Sequence, residues 1–367
     1  MHQFWLMAAL QSSVNMANIV IKNVSIRGIS ACAPSHVEDN MGIPVFNEGE
    51  AERVIAQTGI RQKHTVPDGS VLASDLCVAA CERLLAELHW ERDSVELLGF
   101  VSLSHDYQEP PTACILQDRL GFSENCMSVD MNQGCSGWVN GLCTISSLVS
   151  TGNIKRALLL NGDTSSLLNS PYDKEARPLF GDAGVATAIE YDASAPEMKF
   201  NFGTRGKDFA AILRKYGGMR YPITEESLKF KEIAEHIVRR DKDCTMDGMG
   251  VFAFGMSTAP KSVKSLCETY GIDMESIDFF LMHQANHYMN EKIRKKLKMP
   301  VEKSPYSLAD YGNTSSASIP LTIVTQCRED FETRHLKNLA TAFGVGLAWG
   351  SLYFETDKIV CPEIELI

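Results

Sequence analysis

Apolar runs of strand type alternate along this chain with segments of helical spacing, and twice such a run gives way to a helix at a chemically active side chain. SVDM leads into NQGCSGW and the helical run WVNGLCTISSLV, which puts Cys135 at a helix start. FFLM leads into HQAN and a helix running from Asn286 to Lys298, which puts His283 at a second one. VELLGFVSLS, RALLLNGDTSS and SIDFFLM read as buried strands. SDLCVAACERLLAEL (74–88) reads as a helix with Ser74 as N-cap and Asp75 in its first turn. KNLATAF and LAWGSLYFET, joined by GVG, read as a closing pair of strands. The alternation predicts an α/β chain whose central sheet is covered on both faces.

The echo between the cysteine and histidine segments suggests two similar halves, residues 16–195 and 196–367, joined at the polar stretch DASAPE. No literal repeat accompanies it. Residues 1–15, ahead of Met16, are expected to be a disordered lead.

Composition narrows the function classes. The chain has 367 residues, 44% of them hydrophobic, enough for a large core. A net charge of −11 argues against a general nucleic-acid surface, which needs a dominant basic footprint. No apolar run is long enough to span a membrane. Eleven cysteines without a repeating frame argue against a disulfide scaffold and for a reduced, cytoplasmic protein.

Three side chains carry chemistry. A thiol at a helix start feels the positive end of the helix dipole and unpaired amide N–H groups, which favour the thiolate; Cys135 is also readable as one more small buried residue. His283 suits a hydrogen-bond donor or acid/base role. With His287 it superficially matches a zinc-binding HExxH helix, but Gln284 stands where the general base belongs, and no metal site is expected. Asn313, in YGNTSSAS, is readable as a turn residue or as a carboxamide donor to a developing oxyanion. The glycine-flanked turn in AFGVGLAWGS offers backbone N–H groups to an oxyanion hole and is not a dinucleotide fingerprint, since no helix follows it.

Taken together, TGIRQKH (58–64), the cysteine segment, FGDAG (180–184), HQAN (283–286), GNTSSAS (312–318) and FGVGLAWGS (343–351) resemble, in order and spacing, the β-ketoacyl-[acyl-carrier-protein] synthase III family of the thiolase superfamily. The resemblance runs from about Asn18 to the C-terminus. It implies a thiolase fold, two βαβαβ-type halves in a layered αβαβα architecture, and a homodimer. It implies Cys135 as the acylated nucleophile, with His283 and Asn313 binding the malonyl thioester and stabilising its enolate. Backbone N–H groups of Cys135 and Val345 would form the oxyanion hole. Asn286 would lie near the pantetheine arm, and Lys295 and Lys296 would meet an acidic acyl carrier protein. No cofactor is implied beyond the phosphopantetheine that carrier-protein or coenzyme A thioesters bring. The product would be a 3-oxoacyl-carrier protein.

The chain departs from that family in places. Arg53 stands where fatty-acid-initiating members carry a tryptophan against coenzyme A, Gln57 stands for an arginine, and the basic residue ahead of FGD is displaced to Lys174 or Arg177. Glu109, in YQEPPTAC, replaces a phenylalanine that reaches across the dimer to the partner's acyl pocket; it resembles the glutamate base of Claisen-condensing relatives. Non-decarboxylative Claisen condensation, acyl transfer to an oxygen or nitrogen nucleophile, and a non-catalytic carrier-binding role therefore stand beside decarboxylative condensation.

Overall fold

A computed structural model of the chain describes residues 16–367. The expected lead, residues 1–15, lies outside the described residues. Two sheets stack with helices between and outside them. The first has six strands in the order Glu365–Leu366, Val24–Ala33, Ala183–Tyr191, Arg156–Asp163, Leu97–Val101 and Met127–Met131. The second has five, in the order Ala17–Ile21, Met198–Thr204, Ala348–Asp357, His335–Gly344 and Phe279–Met282. Its central pair, His335–Gly344 and Ala348–Asp357, forms the expected hairpin around GVG.

The apolar runs follow from this stacking. Side chains alternate across a strand, so a strand covered on both faces is apolar throughout. Along Arg156–Asp163, Ala157 and Leu159 join the core between the sheets, while Leu158 and Leu160 join the core beneath the outer helix Ala73–Leu88. The inner core also takes Trp138, Leu142 and Ile145 from helix Gly137–Val149 and Ile319, Leu321 and Ile323 from helix Ser318–Gln326. Helices Gly248–Tyr270 and His287–Leu297 cover the far face of the second sheet with Phe254, Val263, Leu266, Met289 and Ile293. The order is helix, sheet, helix, sheet, helix, as expected.

Three local expectations need correction. Helix Ala73–Leu88 starts one residue earlier than expected, and Ser74 is inside it; the cap comes from Asp75, whose carboxylate accepts the Leu72 N–H at 2.7 Å. The cysteine and histidine helices are not equivalent either. The first lies in the inner layer and the second in the outer one; the inner-layer counterpart of the cysteine helix is Ser318–Gln326, which follows Asn313. Finally, the position expected to divide the halves falls in the turn between Ala183–Tyr191 and Met198–Thr204, but the outermost strands cross over. Ala17–Ile21 pairs with Met198–Thr204, and Glu365–Leu366 pairs with Val24–Ala33.

Residues 205–247 form short 3-10 turns and two small two-stranded sheets. They reach back over residues 165–177. Val238 N–H bonds Tyr172 O at 3.0 Å, Cys244 N–H bonds Leu168 O at 3.0 Å, and Arg239 clamps buried Asp173.

Candidate active site

Cys135 sits on the loop between strand Met127–Met131 and helix Gly137–Val149. The turn of the 335–357 hairpin presses directly on it. A Cβ on Gly344 would stand 2.6 Å from the Cys135 sulfur, so glycine there makes room for the thiol. The next residue, Val345, directs its backbone N–H at that sulfur, and the Cys135 backbone N–H bears on it too. The two amides named from the sequence thus converge on one atom. Cys135 nevertheless keeps partial solvent access, which leaves an approach for an acyl group.

The expected thiolate is not what this environment favours. Burial pushes the Cys135 thiol up to about 11, against the two amides, and the buried Asp163 carboxylate adds to the rise. Desolvation outweighs the helix end. Cys135 rests as a thiol.

His283 leaves strand Phe279–Met282 with its N–H bonded to Thr341 O at 2.9 Å and its carbonyl accepting the Asn290 side-chain amide at 3.0 Å. The backbone is therefore held at both ends. The ring stands edge-on to Phe343, with centroids 6.1 Å apart, and Nδ1 meets Ser318 Oγ at 2.8 Å. Ser318 Oγ also accepts the Gln284 N–H at 3.4 Å, so one hydroxyl joins the His283 ring to the backbone that follows it. Burial pushes the imidazole down to about 4, against the Ser315 carbonyl, so it is neutral at pH 7.

Asn313 is fixed from both sides of its backbone. Its N–H bonds Leu179 O at 2.9 Å and its carbonyl accepts the Gly181 N–H at 3.1 Å. Its Oδ1 accepts the Ser315 N–H at 2.9 Å, which turns the NH₂ end outward as a donor. FGDAG thus has a structural reason: Gly181 lets the strand pass against Tyr311 O, where a Cβ would stand 2.1 Å away.

One participant was missed from the sequence. Asp163, at the end of an otherwise apolar strand, is fully buried and accepts Leu103 N–H at 2.7 Å, Ser102 Oγ at 3.3 Å and Ser316 Oγ at 3.1 Å. Burial raises its carboxyl above the ordinary range, against these donors. It ties the first sheet to the loop that presents Asn313. The signal was a charged residue closing the apolar run RALLLNGD. Cys244, from residues 205–247, is also among the groups whose charge bears on the Cys135 thiol.

The remaining expected residues lie elsewhere. Asn286 caps helix His287–Leu297, its Oδ1 accepting Met289 N–H at 2.8 Å. That helix packs against Glu50–Thr58, where Gly59 at φ +75° passes so close that a Cβ would stand 2.5 Å from His287 Cβ. Arg53 and Lys296 are exposed, and Lys295 is exposed with Glu291 at 3.6 Å. Arg294 is spent within the helix, bonded to Glu291 at 2.7 Å. Of the displaced basic residues, Lys174 meets Glu50, on the helix that carries Arg53, at 3.3 Å, whereas Arg177 binds Glu38. Glu109 is exposed on the single chain. His287 packs edge-on against Tyr306 with centroids 5.1 Å apart.

The chain is similar to known proteins in sequence and in shape. The description "3-Oxoacyl-[acyl-carrier-protein (ACP)] synthase III" matches residues 129–206, and that of the family's C-terminal part matches residues 267–356. A Campylobacter jejuni protein provisionally named 3-oxoacyl-[acyl-carrier-protein] synthase 3 is 31% identical over 344 residues, 92% of this chain and 96% of its own. The chain belongs to the 3-oxoacyl-[acyl-carrier-protein] synthase III family. A crystal structure of a 3-oxoacyl-(acyl-carrier protein) synthase from Burkholderia xenovorans is 32% identical, with a TM-score of 0.89 over 96% of this chain and 99% of that one. A second solved 3-oxoacyl-(acyl-carrier-protein) synthase III is 34% identical, with a TM-score of 0.86 over 90% and 99% of the two chains. Membership makes the protein an acyltransferase with the thiolase fold.

Proposed function

We propose that this synthase III condenses an acyl group held on Cys135 with malonyl-carrier protein. The observation that supports it most is the seating of the Cys135 sulfur against Gly344, under the Val345 N–H.

In the first half-reaction the Cys135 sulfur attacks the donor thioester. The Cys135–acyl bond forms, the donor thiolate leaves, and the proton lost from Cys135 goes to it. The developing oxyanion lies under the Cys135 and Val345 N–H groups, donors already in place before charge develops. In the second, the malonyl thioester oxygen accepts from His283 Nε2–H and Asn313 Nδ2–H. The bond to the carboxylate breaks, CO₂ leaves, and its electron pair becomes an enolate held by those donors. The enolate carbon attacks the acyl carbonyl, the Cys135–acyl bond breaks, and Cys135 departs as a thiolate that takes a proton from water. A neutral His283 suits this role, because it donates without having to lose charge.

The carrier protein, itself acidic, would dock on the exposed Lys295 and Lys296 beside helix Glu50–Thr58, with Asn286 and Arg53 at the phosphopantetheine entrance. The working unit would be a homodimer, each protomer's exposed Glu109 loop meeting its partner's acyl pocket, in the cytoplasm.

Intact mass spectrometry tests the reading. Incubation with acyl thioesters should add one acyl mass at Cys135, and malonyl-carrier protein should discharge it with release of CO₂. An adduct that only an alcohol, amine or second acyl thioester removes would overturn the decarboxylative assignment.

A further inference from the structure

A cavity of about 450 Å³ opens where residues 205–247 lie over the 165–177 loop. It shares no lining residue with Cys135, His283, Asn313, Asn286 or Arg53. Its walls hold Lys63, Arg177, Arg240 and Lys242. Lys63 is almost wholly buried and shares the single carboxylate of Glu38 with Arg177. Arg240 is paired with Asp243 at 2.8 Å.

Lys242 has no such partner among the described residues. The charges that bear on it are Arg240 and Arg214, which repel it, and Asp243, already engaged by Arg240. Four cations thus line the hollow against one carboxylate in its wall, Glu38, with Asp243 and the buried Asp182 behind them, on a protein of net charge −11. Like charges crowded without counter-charge are costly, and an anion in the hollow removes that cost.

The rim is apolar and aromatic. Tyr172 and Phe230 meet edge-on with centroids 5.2 Å apart and are 52% and 46% exposed. The Arg240 guanidinium lies 4.9 Å from the Phe230 ring centre, which fixes ring and cation together. Val66 and Leu167 complete the apolar wall.

We infer that this cavity binds a small phosphomonoester whose ester arm is a planar ring, the dianion facing Lys242 and the arm lying against Phe230 and Tyr172. A doubly charged phosphate engages Lys242 and the cations beside it more strongly than a carboxylate does. The site is separate from the catalytic one, and the inference does not depend on the condensation assigned above.

Calorimetric titration of the full-length protein at low salt with phenyl phosphate, inorganic phosphate and benzoate tests it. Phenyl phosphate should bind saturably, one per chain, and about tenfold or more tighter than benzoate. Lys242→Met should weaken it about tenfold or more, and Lys242→Arg should restore most of the loss. Phe230→Ala should weaken phenyl phosphate but leave inorganic phosphate unchanged. Saturating coenzyme A should not compete, and acylation of Cys135 in each variant should match the unsubstituted protein. Absence of saturable binding, equal affinity in Lys242→Met, or displacement by coenzyme A, which would put the anion at the substrate entrance, overturns the assignment.

Discussion

The Ser316 hydroxyl donates to the buried carboxylate of Asp163 at 3.1 Å, and through that bond the first sheet holds the loop on which Asn313 and Ser318 stand. Ser318 in turn fixes His283 at 2.8 Å. Ser316→Ala should therefore slow CO₂ release from malonyl-carrier protein more than it slows acylation of Cys135, and should cost about 1 kcal/mol in urea unfolding. Equal slowing of both half-reactions would remove Asp163 and Ser316 from the positioning of the decarboxylation donors.

Removing one of those donors should separate the half-reactions outright. His283→Ala and Asn313→Ala should each lower malonyl decarboxylation by roughly 10²–10³-fold, the cost typical of one lost oxyanion donor. Acyl transfer to Cys135, followed by mass spectrometry, should persist in both.

Gly344 supplies a steric test. Its φ is not left-handed, so alanine meets no backbone penalty, but the added Cβ would stand 2.6 Å from the Cys135 sulfur. Gly344→Ala should abolish acylation while circular dichroism and melting temperature change little. Unimpaired acylation would mean that the hairpin turn gives way.

The Cys135 thiol, pushed up to about 11 by burial, should react slowly with iodoacetamide at neutral pH. The alkylation rate should rise with pH to a midpoint near that value. A midpoint near 8.5, the ordinary thiol range, would show instead that the helix start governs the group.

His283 predicts how stability responds to acid. Its imidazole titrates near 6.5 when unfolded and is pushed down to about 4 by burial in the folded protein. The unfolded state takes the proton first as pH falls. Stability from this group is therefore whole above pH 6.5 and is lost between 6.5 and 4, amounting to roughly 3 kcal/mol. The loss should shrink by about that amount in His283→Gln, read as the difference between the two proteins' urea midpoints at pH 7 and pH 4.

The architecture and the candidate site were legible because they leave local marks: apolar runs with turns between them, and polar side chains where a strand becomes a helix. Environment was not. The helix start at Cys135 suggested a thiolate, but the hairpin that desolvates it comes from Gly344 and Val345, about two hundred positions away. Asp163 hid at the end of a strand read for its apolar run, because its partners Leu103 and Ser316 are distant in sequence. Residues 205–247 lack strong periodicity, since their order comes from clasping residues such as Tyr172 and Asp173 rather than from a core of their own.

The crossed outer strands bear on how the polypeptide is made. Ala17–Ile21 finds its partner only when Met198–Thr204 follows, and the first sheet receives Glu365–Leu366 only after every strand of the second has been made. Each sheet thus waits on the other's share of the chain, so vectorial folding can pre-form the 24–191 framework but cannot close it. Pulse-labelling of stalled nascent chains should find the edge of strand Val24–Ala33 unprotected until residues 360–366 have been made.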